Sequence, residues 1–177
     1  MDDIANFYKN KRIFITGHTG FKGIWLTSVL LSFGAEITGL SLNDEKKKLF
    51  NEYIKNKKIK SYFGNIENYN FLKEVIKKSK PQIIFHLAAQ SYPQTSFISP
   101  IETLQTNIIG TANLLEVLKN SKYGDAKIHV CSSSEIFGKV SKDKLPINEE
   151  CSIHPASPYA ISKCGTDLLG KIGRAHV

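Results

Sequence analysis

Tyr159 and Lys163 stand four residues apart, a spacing that puts both side chains on one face of a helix. An ammonium beside a phenol stabilises the phenolate and lowers its pKa from about 10 toward neutrality, which makes a usable base for a substrate hydroxyl. Far upstream, Gly17, Gly20 and Gly23 follow a short apolar run in the order Thr16-Gly-His-Thr-Gly-Phe-Lys-Gly23. Gly17 can make a tight turn, Gly20 can admit a pyrophosphate against the backbone, and Gly23 can let a helix lie close on a strand. The N-terminus of that helix offers unpaired N–H groups and the positive end of its dipole. A phosphate cradle and a tuned tyrosine in one chain point to hydride transfer between a dinucleotide and a hydroxyl-bearing substrate.

The elements that must position these groups alternate strand and helix. Residues 12–16 read as a buried strand before the glycines, and residues 21–33 as a helix with Trp25, Val29, Leu30 and Phe33 at helical spacing, stopped by Gly34. Further strands are expected over 36–42, 59–63, 82–87 and 127–131. Helices are expected over 68–79, ended by Pro81, and over 100–120, and a last one begins near Ser157 and Pro158. This alternation predicts a Rossmann-type α/β fold, a doubly wound parallel sheet with ligands at the carboxyl ends of its strands near the switch in strand order.

At 177 residues the chain can bury one good core, and 41% hydrophobic with 23% charged residues is ordinary for a globular protein. The net charge of +8 comes largely from Lys46, Lys47, Lys48, Lys55, Lys57, Lys58 and Lys60, in a segment that reads as a solvated helix. No nucleic-acid motif accompanies them, so a lysine-biased surface is expected and no nucleic-acid partner. The apolar runs are too short for a bilayer and the first residues lack a signal pattern, so a cytoplasmic protein with no membrane contact is expected. Cys131, Cys151 and Cys164 show no metal-ligand spacing, and no metal is expected. Residues 172–177 break the periodicity of the last helix and match the translation of a common sequencing adapter. They are expected to be a non-native tail, with 1–171 forming the dinucleotide-binding domain.

Gly17, Thr19, Gly20, Phe21 and Gly23 are the expected pyrophosphate-side contacts. Ser41 stands near the end of the second strand, where an acid would favour NAD and an arginine NADP; Asp44 lies further along, so the choice between NAD and NADP stays open. His18 and Lys22 either reach a phosphate or lie in solvent. His86 reads as a packed strand-end residue or a catalyst.

The glycine loop, His86-Leu-Ala-Ala-Gln90, Asn107-Ile-Ile-Gly-Thr111, Ser132-Ser-Ser-Glu-Ile-Phe-Gly138 and Ser157-Pro-Tyr-Ala-Ile-Ser-Lys163 together resemble the extended short-chain dehydrogenase/reductase family. More narrowly they resemble its nucleotide-sugar 4,6-dehydratases. The stretch from Gly17 to Leu26 is similar to CDP-glucose 4,6-dehydratases, and the later motifs to GDP-mannose and GDP-N-acetylglucosamine 4,6-dehydratases. The resemblance runs over residues 11–170 and covers the cofactor-binding half of such a protein, truncated before the C-terminal substrate domain. The chain alone is therefore expected to turn over negligibly.

The resemblance implies roles. Tyr159 takes the proton of the sugar C4 hydroxyl while Lys163 supports it, and both touch NAD or NADP. Ser133 hydrogen-bonds the C4 oxygen, and Glu135 removes the C5 proton before water leaves from C6. Ser134 stands where some dehydratases carry an aspartic acid. Asn65 and Ile66 lie beside adenine, Leu87, Ala88 and Ala89 line the ribose and nicotinamide side, and Gln90, Ser133 and Ser134 meet the nucleotide-sugar substrate. Asn107 is architectural. A homo-oligomer paired through helices including that of Tyr159 is implied as well. The alternatives are an epimerase or reductase on the same fold, which needs no Glu135, and a non-catalytic dinucleotide-binding protein, which needs neither Tyr159 nor Lys163.

Overall fold

Strand β1 (Arg12–Thr16) is apolar at its three central positions because it is covered on both faces. Ile13 and Ile15 point to one side and pack with Leu30 of α2 (Phe21–Ser32), Ala35 and Ile37. Phe14 points to the other side, where it meets Leu72, Val75 and Ile76 of α3 (Tyr69–Ser79) and Leu114, Val117 and Leu118 of α6 (Gly110–Lys119). The two-residue period of the strand thus feeds two cores from one run of sequence. The computed structural model describes residues 2–42 and 59–175. Residues 43–58 hold Asp44 and six of the seven lysines named above, so those expectations lie outside the described residues; Lys60 is exposed on a strand.

The sheet has five strands in the order β3 (Ile59–Phe63), β2 (Glu36–Ser41), β1, β4 (Ile83–His86), β5 (Lys127–Val130). β1 pairs in parallel with β2 and β4, and β2 with β3. This is the doubly wound sheet expected from the sequence. Strand order reverses between β1 and β4, where such sheets hold their ligands.

The helices differ from expectation in instructive ways. α2 buries Gly23, Ile24, Thr27 and Leu30, while Trp25 and Val29 are 53% and 45% exposed. A Cβ on Gly23 would come within 2.1 Å of the Gly17 carbonyl oxygen, so this glycine fixes which side of the helix faces inward. Large apolar residues at helical spacing do not mark the buried side here. The helix expected over 100–120 is three pieces: α5 (Pro100–Leu104), a π-helical turn (Gln105–Ile109) and α6. α1 (Asp2–Tyr8) and α4 (Pro93–Ile98) were not foreseen. The last helix is α7 (Pro158–Ala175). Among the described residues no helix is long and apolar enough to cross a membrane.

Contacts divide the chain into two compact units, Met1–Ala88 with Asn113–His129, and Ala89–Ala112 with Val130–Val177. The first holds nearly the whole sheet and the glycine loop. The second holds α4, α5, the π turn and α7. Within it the Asn107 carbonyl accepts from the hydroxyls of Thr111 (2.6 Å) and Thr166 (3.1 Å). Those bonds satisfy a carbonyl in a stretch whose ladder is locally widened.

Candidate active site

In the first unit, β1 ends in the glycine loop. Gly17 has φ +75°, and a Cβ there would lie 2.9 Å from the Ala88 nitrogen, so no side chain fits. Its N–H donates to the Leu40 carbonyl at 2.7 Å and its carbonyl accepts from Gly20 N–H at 3.0 Å, which closes the turn. Gly20 then caps α2 with no side-chain acceptor, whereas Asn68 closes α3 by accepting from Phe71 N–H at 3.0 Å. A Cβ built on Gly20 would meet only the Gly17 oxygen, at 3.3 Å. The first turn of α2 is therefore left with free N–H groups beside an open backbone surface, which is what a pyrophosphate requires. Phe21 turns its ring outward, 80% exposed, so only its backbone can serve. Lys22 is exposed as well.

His18 does neither of the things expected of it. It is fully buried, its ring lying against Gly39, where a Cβ would sit 2.2 Å from the His18 Cγ. Its Nδ1 pairs with the Ser41 hydroxyl at 2.9 Å and its Nε2 with the Ser61 hydroxyl at 3.0 Å. Burial pushes its pKa down to about 4, against an upward pull from a hydrogen bond to the Leu40 backbone, and the ring is neutral at pH 7. Ser41 also accepts from Thr19 N–H at 3.2 Å. Ser41 therefore ties the glycine loop to the end of β2 through its own hydroxyl.

The remaining expected cofactor residues of this unit are mixed. Asn65 is exposed, and its Oδ1 accepts from Glu67 N–H at 2.9 Å, shaping the turn after β3. Ile66 is 5% exposed and its side chain belongs to the core, leaving its backbone for any ligand. Ala88 N–H donates to the Thr16 hydroxyl at 3.1 Å, and that hydroxyl pairs with His86 Nδ1 at 2.7 Å. His86 is 3% exposed, a packed strand-end residue. The sequence reading missed Asn113, whose Nδ2 donates to the Glu67 carbonyl at 2.9 Å and secures the loop carrying Asn65. An asparagine, a weak helix former, in a helix interior was the available signal.

In the second unit α7 carries Tyr159 and Lys163 in its first two turns. Both are buried, at 9% and 6% exposure, and the Lys163 ammonium donates to the Cys131 carbonyl at 2.9 Å. Two residues on, Ser133 caps the 3-10 turn Ser134–Phe137 by accepting from Glu135 N–H at 3.2 Å. Ser134 and Glu135 are exposed on that turn. The turn is pinned from behind: Ile136 is buried and its carbonyl accepts from His154 N–H at 3.0 Å. Gly138 (φ +57°) could carry no Cβ, which would fall 2.1 Å from the His154 oxygen.

Ala89 is half-buried and Gln90 anchors its own loop. The Gln90 amide donates to the Tyr92 carbonyl (3.0 Å) and the Thr103 hydroxyl (3.2 Å), and accepts from Tyr92 N–H. Asn107 bonds both backbone groups of Gln90, at 2.8 and 3.1 Å, and donates to Ser162 on α7 at 2.8 Å. It is architectural, as expected. No group of three or more potential metal ligands occurs among the described residues.

A doubly wound parallel sheet with a bare glycine loop at its switch point, and a helix bearing buried Tyr159 and Lys163, define a Rossmann-type protein of the short-chain dehydrogenase/reductase class. Within that class the chain belongs to the GDP-mannose 4,6 dehydratase family, whose profile matches residues 14–175. It is 39% identical over 128 residues to the CDP-glucose 4,6-dehydratase of Salmonella typhimurium, covering 72% of this chain and 36% of that protein. It is 34% identical to GDP-mannose 4,6 dehydratase 1 of Arabidopsis thaliana, covering 85% of this chain and 44% of that one. Among solved structures, the UDP-glucose 4-epimerase of Thermotoga maritima, determined with UDP-glucose, matches with a TM-score of 0.81 at 29% identity. That match covers 92% of this chain and 51% of the epimerase. The chain thus spans about half the length, or less, of these relatives.

Proposed function

We propose that the protein is a nucleotide-sugar 4,6-dehydratase, an NAD(P)-dependent hydro-lyase that forms a 4-keto-6-deoxy sugar nucleotide. The observation that carries the reading is the make-up of the second unit. A buried lysine shares a helix turn with a buried tyrosine, and the carbonyl that holds the lysine lies four residues before an exposed Glu135 on a pinned turn. NAD or NADP fits the first unit, because the glycine loop has no side chain over its open backbone and α2 begins without a cap. There Gly17, Thr19, Gly20, Gly23 and the Phe21 N–H would surround the pyrophosphate, Ser41 would stand by the ribose, and Asn65 and the Ile66 backbone would stand by the adenine. Leu87, Ala88 and Ala89 would follow the ribose and nicotinamide.

A bound NAD or NADP would supply the hydride chemistry of the reaction, accepting a hydride from the sugar C4 and giving it back at C6. Tyr159 accepts the C4 hydroxyl proton, and Lys163 keeps positive charge beside the phenolate. Ser133 donates to the C4 oxygen, with Ser134 and Gln90 at the sugar's edge. The new ketone acidifies C5–H, and Glu135 takes that proton as the C6 hydroxyl leaves as water. With Ser134 in place of an acid, the leaving hydroxyl draws its proton from Glu135 or from water.

Family relatives named for CDP-glucose and GDP-mannose support a nucleotide-sugar substrate. Exposed Ile98, Ile101, Ile161 and Leu168 on α4, α5 and α7 support a homo-oligomer, and we take the reaction to be cytoplasmic.

The test uses the product of the full reading frame that encodes this sequence, incubated in heavy water with CDP-glucose, GDP-mannose or GDP-N-acetylglucosamine. Loss of one water with gain of one deuterium, read by mass spectrometry, is the expected result for one of them. Retention of the water with inversion at C4 would overturn the reading in favour of an epimerase and leave Glu135 without a role.

A further inference from the structure

Ser162 lies between Tyr159 and Lys163 on α7, where a serine gains little from helix propensity. Its side chain is fully buried, and its hydroxyl is used both as donor and as acceptor. It donates to the Tyr159 carbonyl at 2.6 Å and accepts from Asn107 Nδ2 at 2.8 Å. The Asn107 amide can stand in one orientation only, because its Oδ1 accepts from Gln90 N–H and its Nδ2 donates to the Gln90 carbonyl. One chain of hydrogen bonds thus links the backbone of Gln90, through Asn107 and Ser162, to the backbone of Tyr159, all within the second unit. One turn further along α7, the Thr166 hydroxyl donates to the Asn107 carbonyl at 3.1 Å, so the helix grips this asparagine by side chain and backbone alike.

We infer that Ser162 is a positioning residue: through Asn107 it fixes the Tyr159 turn of α7 against the Gln90 loop, so that phenol and loop keep one mutual geometry. This rests on the dehydratase reading, in which Tyr159 takes a proton from a sugar bordered by Gln90. Without the Ser162 hydroxyl, Asn107 keeps both of its bonds to Gln90, so the loop keeps its shape and its hold on the sugar. What loosens is the link to Tyr159, and a reacting group displaced by about 1 Å can lose about a hundredfold in rate. One Asn107 N–H is also left buried and unpaired, which lowers stability. Kinetics separates the two effects.

The test uses the product of the full reading frame and whichever of CDP-glucose, GDP-mannose and GDP-N-acetylglucosamine it dehydrates. Ser162→Ala should lower kcat about tenfold to a hundredfold and leave KM within about twofold, at a temperature where the variant is fully folded. A serine with a structural role alone would lower the melting temperature and leave kcat unchanged, and that result overturns the inference. So does a rise in KM at constant kcat, which would place the effect in substrate binding. If Ser162→Ala does not fold, the pair Ser162→Thr and Ser162→Val decides, since the two share a shape and differ by the hydroxyl. The threonine variant should then turn over at least about tenfold faster, and equal rates overturn the inference. Should the unsubstituted enzyme remove water from none of the three sugars, the dehydratase reading itself fails and this inference with it.

Discussion

Lowering the pH from 7 to 5 should destabilise the folded chain through His18. Its ring is fully buried between the glycine loop, β2 and β3, bonded to the hydroxyls of Ser41 and Ser61. The unfolded chain binds the proton near the ordinary value of 6.5 and the folded chain only near 4, so stability falls as pH drops through that window and flattens below about 4. The full linkage is about 3 kcal/mol, and about 2 kcal/mol of it is lost by pH 5. For a chain of this size that corresponds to roughly 4–8 °C in melting temperature. The assay is urea unfolding at pH 7 and pH 5 for the natural chain and for His18→Gln, which keeps hydrogen-bonding groups but cannot take the proton. The carboxylates titrate in both proteins, so the difference between the two pH responses isolates His18. Equal responses would refute the reasoning. So would an NMR titration of the His18 ring in the natural chain with a midpoint at 6 or above, and that measurement stands even if the variant does not fold.

Gly39→Ala should destabilise by about 1–3 kcal/mol, measured by denaturant unfolding, because the new methyl lands on the His18 ring and the ring has no space to retreat. Gly23→Ala should weaken NADH binding at least tenfold in a fluorescence titration, since its Cβ would push α2 off the Gly17 carbonyl and displace the N–H groups of the first turn. On the proposed function, Tyr159→Phe in the product of the reading frame that encodes this sequence should lower kcat by about a hundredfold to ten-thousandfold in a product-formation assay. Glu135→Gln should lower turnover comparably while still allowing C4 oxidation, so reduced cofactor should accumulate in its absorbance spectrum on adding substrate. A Glu135→Gln enzyme that releases product at the natural rate would remove the C5 base from the mechanism.

The sheet was legible because its strands are short runs with apolar residues, β1 and β3 are followed directly by glycine, and in β1 alternate residues of one run fill the two covered faces. The helices were read less well. In α2 the sequence advertises Trp25 and Val29, yet the inward side is chosen by Gly23, whose lack of a side chain lets the helix touch the loop. Periodicity counts apolar residues, and it is blind to a contact made by an atom that is absent. The π turn at Gln105–Ile109 was invisible for a related reason. The carbonyl of Asn107 within it accepts from the hydroxyls of Thr111 and Thr166, and Thr166 is 59 residues away in sequence.

The site shows the same division between what is local and what is not. Tyr159 with Lys163, and Gly17 with Gly20 and Gly23, act over one or two helical turns, so spacing alone brought each set together. His18 is the opposite case. Within the loop it is a polar residue next to the expected phosphates, and nothing nearby says that it turns inward. The reason lies on two other strands: Gly39 vacates the volume its ring needs, and Ser41 and Ser61 give its two nitrogens partners. Read together, those residues explain why the end of β2 carries a small hydroxyl and not an acid. An aspartate at Ser41 would lie against a ring held neutral by burial, where a carboxylate loses hydration and favours protonating the imidazole. Ser41→Asp should therefore raise the His18 pKa well above 4, an effect that the same NMR titration reads directly.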